Sequence, residues 1–251
     1  MRSTLIFMKN RTTFMPMLAL LLALAAMAAM TVRHAAAQGP TDPPPPPEEP
    51  IYGLPFAEPP GPDTWNVTQW YGNTRFAYLM RRTFYGNGQG LHFGLDLGAP
   101  CGTEVIAIGD GIVTKIDAME HGSGPHNLMI DHPEGYSSFY GHLLEPPRLY
   151  IGQEVHRGDV IVLTGDPDLT CDSRPHLHLE IRNHWYNYAY NPVEFIDADW
   201  DSLALFGPRS SFSRDLDNPR RWVTPYDQPM TDFGGELLNN YLNAWPPDYS
   251  R

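Results

Sequence analysis

Histidine and carboxylate side chains crowd into two short segments of this 251-residue chain. The first is Leu91-His92-Phe93-Gly94-Leu95-Asp96-Leu97, where apolar residues alternate with polar or small ones. His92, Gly94 and Asp96 therefore share one face of an extended segment. A regular strand would hold His92 and Asp96 about 13 Å apart. Two ligands of one zinc ion, each about 2 Å from the metal, cannot lie at that separation. If both bind one ion, the chain must bend between them, and Gly94, with Gly88 and Gly90 upstream, supplies the backbone freedom. The second segment is Pro175-His176-Leu177-His178-Leu179-Glu180-Ile181-Arg182. Leu177, Leu179 and Ile181 point to one side of such a strand, and His176, His178, Glu180 and Arg182 to the other. Histidines two residues apart stand about 6–7 Å from each other, too far for both to ligate easily. One can bind a metal while its neighbour works on a water held by that metal. A third histidine, His142, follows in Tyr140-Gly-His-Leu143. Alone, a strand histidine is more often a surface or hydrogen-bonded core residue, and HxxxD is a weak pattern. The three segments together, within one β-domain, favour metal chemistry.

The elements that must position these residues are short strands. Glu104–Ile108, Gly111–Ile116, Leu128–Asp131, Ser137–Tyr140, Asp159–Leu163 and His176–Ile181 are brief stretches rich in Val, Ile, Leu and Tyr, punctuated by Gly, Asp, Asn or Pro. No amphipathic pattern of three helical turns occurs between Trp65 and Ile196. The expectation is an all-β domain over residues 63–198 with long loops and irregular N- and C-terminal extensions. Residues 38–62, with the Pro43–Pro47 run, read as a proline-rich linker, extended to Pro50 and lying along the domain surface from Ile51 to Pro62. Residues 199–251 read as a polar, proline-containing extension. Trp200, Phe206, Trp222 and Trp245 would anchor it on the domain, and Asp232–Ala244 could form one short helix.

Residues 1–37 read as a cleaved signal peptide. Arg2, Lys9 and Arg11 precede an apolar run from Met17 to Val32, and Ala35-Ala36-Ala37 offers a small-residue cleavage site. That run is short for a spanning helix. The expected location is secreted or in the cell envelope, without a membrane anchor after cleavage. Loss of four basic and no acidic residues there would leave 13 basic against 29 acidic residues, a net charge of −16 in place of −12. Such a balance argues against a nucleic-acid partner, because a phosphate-binding face must be basic. The two cysteines, Cys101 and Cys171, are expected to form a disulfide in an oxidising compartment.

With these residues in place, the stretch from Trp65 to Ile196 resembles the lysostaphin-type (LytM-like) zinc endopeptidases, which cleave peptidoglycan peptides. The likeness includes Gly94-Leu-Asp-Leu-Gly-Ala-Pro100, Asp110-Gly-Ile-Val113, Asn127-Leu-Met-Ile-Asp-His132, Gly158-Asp-Val-Ile161 and Asn191-Pro-Val193. The resemblance implies a lysostaphin-type peptidase β-sheet domain, like a barrel-sandwich hybrid, whose long loops form a groove. It implies one Zn2+ per chain held by His92, Asp96 and His178, with His176 and His142 as catalytic histidines. Peptidoglycan peptides would be the partners of a monomeric enzyme. Three protein ligands leave zinc one open position, where a water becomes acidic near neutrality. Cys171 stands where a Gly/Ser-rich turn is more usual. Glu180 is either a partner fixing a histidine tautomer or a solvated charge. A biotinyl or lipoyl carrier reading of the hairpins fails because the candidate turn Ala118-Met119-Glu120 offers Glu where Lys is required. A non-catalytic wall-binding or regulatory protein with the same groove is the remaining alternative.

Overall fold

The alternating segments pair into sheets, as the period-two pattern requires. The computed structural model describes residues 43–124, 126–205 and 213–240. The expected signal segment, Phe206, Trp245 and residues 241–244 of the expected helix lie outside the described residues. Thirteen strands occur among them: β1 (Asn66–Gln69), β2 (Leu95–Gly98), β3 (Glu104–Ile106), β4 (Gly111–Ile116), β5 (Asn127–Asp131), β6 (Tyr136–Gly141), β7 (Glu154–Val155), β8 (Val160–Leu163), β9 (His176–Asn183), β10 (Tyr188–Tyr190), β11 (Ser213–Arg214), β12 (Trp222–Val223) and β13 (Thr231–Asp232). Two short helices accompany them, α1 (Arg75–Leu79) and α2 (Trp200–Leu205). The expected all-β domain is thus observed.

The main sheet runs β1-β2-β9-β6-β5-β4-β7, with β10 on the far end of β9 and β13 on β10. Each of these pairings is antiparallel. Strands β3 and β8 form a separate antiparallel pair. At the centre, β9 has β2 on one side and β6 on the other, so the two motif-bearing strands are direct neighbours. Asp96 stands opposite His178, and Gly141 opposite His178 on the other side. Leu177, Leu179 and Ile181 enter the main core with Leu95, Leu97, Leu128, Ile130 and Tyr140, all fully buried. Each such side chain stabilises the sheet by about 1.5–3 kcal/mol of apolar burial. The core therefore fixes which face of β9 carries the histidines.

Three expectations change. Residues 51–62 do not simply lie along the surface, because Tyr52 and Phe56 are core residues and Tyr52 forms a parallel bridge with Ile196. The proline run is also held, with Tyr190 donating to the Pro44 carbonyl at 2.8 Å and Tyr136 to that of Pro45. No helix starts at Asp232: residues 231–232 are β13 and 233–240 are turns and coil. Gly234-Gly235 interrupts any helical run there, and Gly234 takes φ +88°. Among the expected anchors, Trp200 is buried against Trp70 and donates to the Ile196 carbonyl at 3.0 Å. Trp222 instead lies more than half exposed, beneath the Arg214 guanidinium.

Candidate metal centre

His92, Asp96 and His178 converge in the structure and are all buried. His92 Nε2 lies 3.1 Å from both Asp96 Oδ1 and His178 Nδ1, and His178 Nδ1 lies 2.8 Å from Asp96 Oδ1. Donors about 2 Å from one tetrahedral zinc are separated by roughly 3.3 Å, close to this triangle. The bend between His92 and Asp96 is present, since His92 bridges Gly72 while β2 begins only at Leu95. Gly94 serves it by close approach rather than by unusual torsion. A Cβ there would sit 2.6 Å from the Leu179 carbonyl and 2.8 Å from the His178 ring. Gly90 does take the left-handed region, at φ +81°.

Each histidine nitrogen pointing away from the triangle has its own partner. His92 Nδ1–H donates to the Trp70 carbonyl at 2.8 Å, which leaves Nε2 bare. His178 Nε2–H donates to Glu180 Oε1 at 2.8 Å, so Nδ1 is the nitrogen that faces Asp96 and would face a metal in exchange for its proton. This arrangement fixes tautomers for metal binding. Glu180 is therefore no solvated charge; it is buried and accepts from Arg182 Nε at 2.7 Å through its other oxygen. Burial pushes the Glu180 carboxyl up, but the Arg182 charge and the His178 hydrogen bond prevail and bring it to about 2. Burial likewise pulls the His178 imidazole down, yet its hydrogen bonds to Asp96 and Glu180 raise it to about 9. Burial raises the Asp96 carboxyl, and the charges of His92 and His176 with two hydrogen bonds hold it well below the usual range. The pocket thus favours a cation at the triangle, a proton or a metal.

His176 occupies the same face of β9, partly exposed. Its Nδ1–H donates to the Arg174 carbonyl at 2.7 Å, so Nε2 is free and lies 3.6 Å from Asp96 Oδ1. His142 adopts φ +59° just after β6, and its tilted ring lies 4.8 Å from the His176 ring and 5.8 Å from that of His178. Burial first, then the neighbouring imidazoles of His178 and His176, push His142 down to about 3. Its buried Nδ1 has no hydrogen-bond partner among the described residues. All five histidine and aspartate residues singled out in the sequence are thus brought together.

Two loops lead into this cluster. Residues 165–175 precede His176 and are tied by the Cys101–Cys171 disulfide, as expected, with Cα atoms 5.8 Å apart. Within that loop Asp166 accepts from the backbone of Asp168, Ser173 and Arg174 and from the Ser173 hydroxyl. Residues 71–91 precede His92 and are braced by the C-terminal segment. The amide of Asn73 donates to Gln228 Oε1 at 2.6 Å, and the Leu238 amide to the Gln89 carbonyl at 2.8 Å. The Asn239 side chain donates to the Gly90 carbonyl. Tyr85 stands edge-on to the His92 ring and donates to Gln69 Oε1 at 3.2 Å. Sequence reasoning missed the parts played by Asp166, Tyr85, Gln228, Asn239 and Arg182. Only Arg182 had a usable signal, its place on the histidine face of β9.

The model of Peptidase family M23 matches residues 90–192. This agrees with the resemblance to lysostaphin-type metalloendopeptidases read from the sequence, and it covers all five residues of the cluster. An uncharacterized metalloprotease of Haemophilus influenzae is 35% identical over 102 residues, which are 41% of this chain and 20% of that protein. The glycyl-glycine endopeptidase ALE-1 of Staphylococcus capitis is 26% identical over 51% of this chain and 35% of its own length. The chain thus spans only a fifth to about a third of these two relatives. Among solved structures, the catalytic domain of the antimicrobial peptidase lysostaphin from Staphylococcus simulans is 22% identical, with a TM-score of 0.41, over 51% of this chain and 90% of that domain. Among the described residues no helix is long and apolar enough to cross a membrane.

Proposed function

We propose that this protein is an exported zinc-dependent endopeptidase that hydrolyses peptide bonds of bacterial peptidoglycan. The observation that carries the reading is the buried triangle of His92 Nε2, Asp96 Oδ1 and His178 Nδ1, with both outward imidazole nitrogens occupied by protein acceptors. Residues 90–192 match a peptidase family, and the ALE-1 relative is named for cutting glycyl-glycine bonds, which supports the same direction. Zinc held by these three residues would act as a Lewis acid on the scissile carbonyl and on the attacking water. His92, Asp96 and His178 would hold and orient it. His176 takes the proton of the attacking water at Nε2, because its Nδ1–H is committed to the Arg174 carbonyl. The same ring then returns a proton to the leaving amine. His142, neutral and turned towards His176, donates a hydrogen bond to the oxyanion that develops on the carbonyl.

Purified walls of different cross-link types, incubated with the protein and analysed by mass spectrometry, test the proposal. New amino termini within stem-peptide cross-links or glycine bridges are expected, and chelation should abolish them. Walls that stay intact although the protein binds them would favour a non-catalytic wall-binding or regulatory role.

A further inference from the structure

One aromatic ring from the C-terminal segment touches the supports of both ligand-bearing strands. Phe233 lies outside residues 90–192 and is anchored by its amide to the Asn187 carbonyl at 2.8 Å, next to the β10–β13 pairing. Its ring packs edge-on against Phe93 at 4.6 Å, the residue directly after His92. The Arg182 guanidinium sits 4.7 Å from the centre of the same ring and 4.6 Å from that of Phe139. Cation–ring contact of this kind holds a guanidinium in place where it is shielded from water. Arg182 in turn donates Nε–H to Glu180 and Nη2–H to the His121 carbonyl, both at 2.7 Å, and Glu180 receives the His178 Nε2–H. A continuous path thus runs from Phe233 through Arg182 and Glu180 to His178, and a second from Phe233 through Phe93 to His92.

We infer that Phe233 is a positioning residue for the metal centre, bracing both ligand-bearing segments from the C-terminal extension. The inference rests on the ligand assignment above. Without the ring, Arg182 loses one of its two aromatic contacts and Phe93 its edge partner. The Glu180 carboxylate then wanders from His178, and Nδ1 is no longer aimed at the triangle. Loss of a carboxylate that accepts from a metal-ligating histidine, the place Glu180 takes here, alters metal affinity by about 10–100-fold.

The test compares the full chain with Phe233→Ala, with Phe233→Leu, which keeps apolar bulk but not the ring face, and with Val223→Ala, a buried change elsewhere in the same segment. Zinc affinity is read by competition with a chromophoric chelator at a temperature where every variant is folded. The metal-free proteins are followed by the NMR signal of the His178 Nε2–H. Phe233→Ala and Phe233→Leu should weaken zinc binding at least tenfold and broaden that signal by solvent exchange, while Val223→Ala lowers thermal stability alone. Equal zinc affinity and an equally sharp signal in the Phe233 variants would overturn the inference, as would equal weakening by Val223→Ala. If the unaltered chain binds no zinc, the ligand assignment has failed. The His178 signal then decides the bracing role by itself, broadening supporting it and constancy overturning it.

Discussion

The two loops that lead into the cluster are held by opposite means. Residues 165–175, which deliver His176, are closed by a covalent bond and by a carboxylate inside the loop, Asp166. Residues 71–91, which deliver His92, are held by side chains more than 140 positions away, Gln228 and Asn239, without any covalent tie. The first loop is fixed by Asp166 within it and by the bond to Cys101, both inside the matched stretch 90–192, and its geometry survives as long as the Cys101–Cys171 link does. The second depends on the C-terminal extension, so the order of the His92 side reports on residues outside the matched peptidase stretch. His176, the proposed general base, and His92, the proposed metal ligand, are thereby placed under separate supports.

The largest effect should come from His176 itself, the end point of the covalent loop. His176→Ala is expected to lower hydrolysis of a peptide substrate by about 10²–10⁴-fold, the usual share of a general base. Metal content should be largely kept, since His176 stands outside the triangle. Parallel loss of metal, measured by elemental analysis, would merge the two supports into one. Next in size is the disulfide. Replacing Cys101 and Cys171 by Ser opens a loop with a sequence separation of 70, which in the chain-entropy model costs about 4 kcal/mol of stability. Denaturant unfolding with and without reductant reads this. An unchanged midpoint would show that Asp166 alone holds the loop.

A smaller change is expected on the other side. Gln228→Ala removes the acceptor of the Asn73 amide and the donor to the Arg214 carbonyl, for a cost of about 1–3 kcal/mol. Hydrogen exchange should rise at 71–91 and stay constant at 165–175. Exchange that rises equally in both loops would remove the distinction between them. The subtlest effect is one of pH. Burial raises the Asp166 carboxyl, but the N–H groups of Arg174, Ser173 and Asp168 with the Ser173 hydroxyl bring it to about 2, below its ordinary value of 3.8. The folded state therefore binds this proton less readily than the unfolded one. Its contribution is full above about pH 4, the unfolded value, and is lost as pH falls towards 2. The melting-temperature gap between the parent protein and Asp166→Asn should be constant near neutrality and close as pH drops through that window. A gap that persists at pH 2 would contradict the role given to the carboxylate.

What the sequence made legible follows this same division. The alternation in His176 to Arg182 placed β9 and its histidine face, because successive side chains of a strand point to opposite faces; that the polar face is buried as well was not legible. The strand pattern between Glu104 and Ile181 showed the all-β class, and the two cysteines showed their pairing. Glu180 could be read either way, since burial of a carboxylate depends on what covers it, here Arg182 under Phe139 and Phe233 from distant parts of the chain. Gly94 was legible as special but for a different reason, close approach to Leu179 and His178, which needs the register of β2 on β9. Phe233, Gln228 and Asn239 left no local signal, as their contacts are long-range and their segment has hardly any regular pattern. The helix expected from Asp232 onward fails on Gly234 and Gly235, two residues whose backbone entropy outweighs the apolar spacing that follows.

Metal content measured on the unaltered chain and on His178→Ala tests the central claim most directly. Elemental analysis of protein never exposed to chelator should give one zinc per unaltered chain, and a value near zero for His178→Ala while its circular dichroism stays that of a sheet protein. A stoichiometry near zero in the unaltered protein, or a full complement in His178→Ala, would contradict the metal centre assigned to His92, Asp96 and His178.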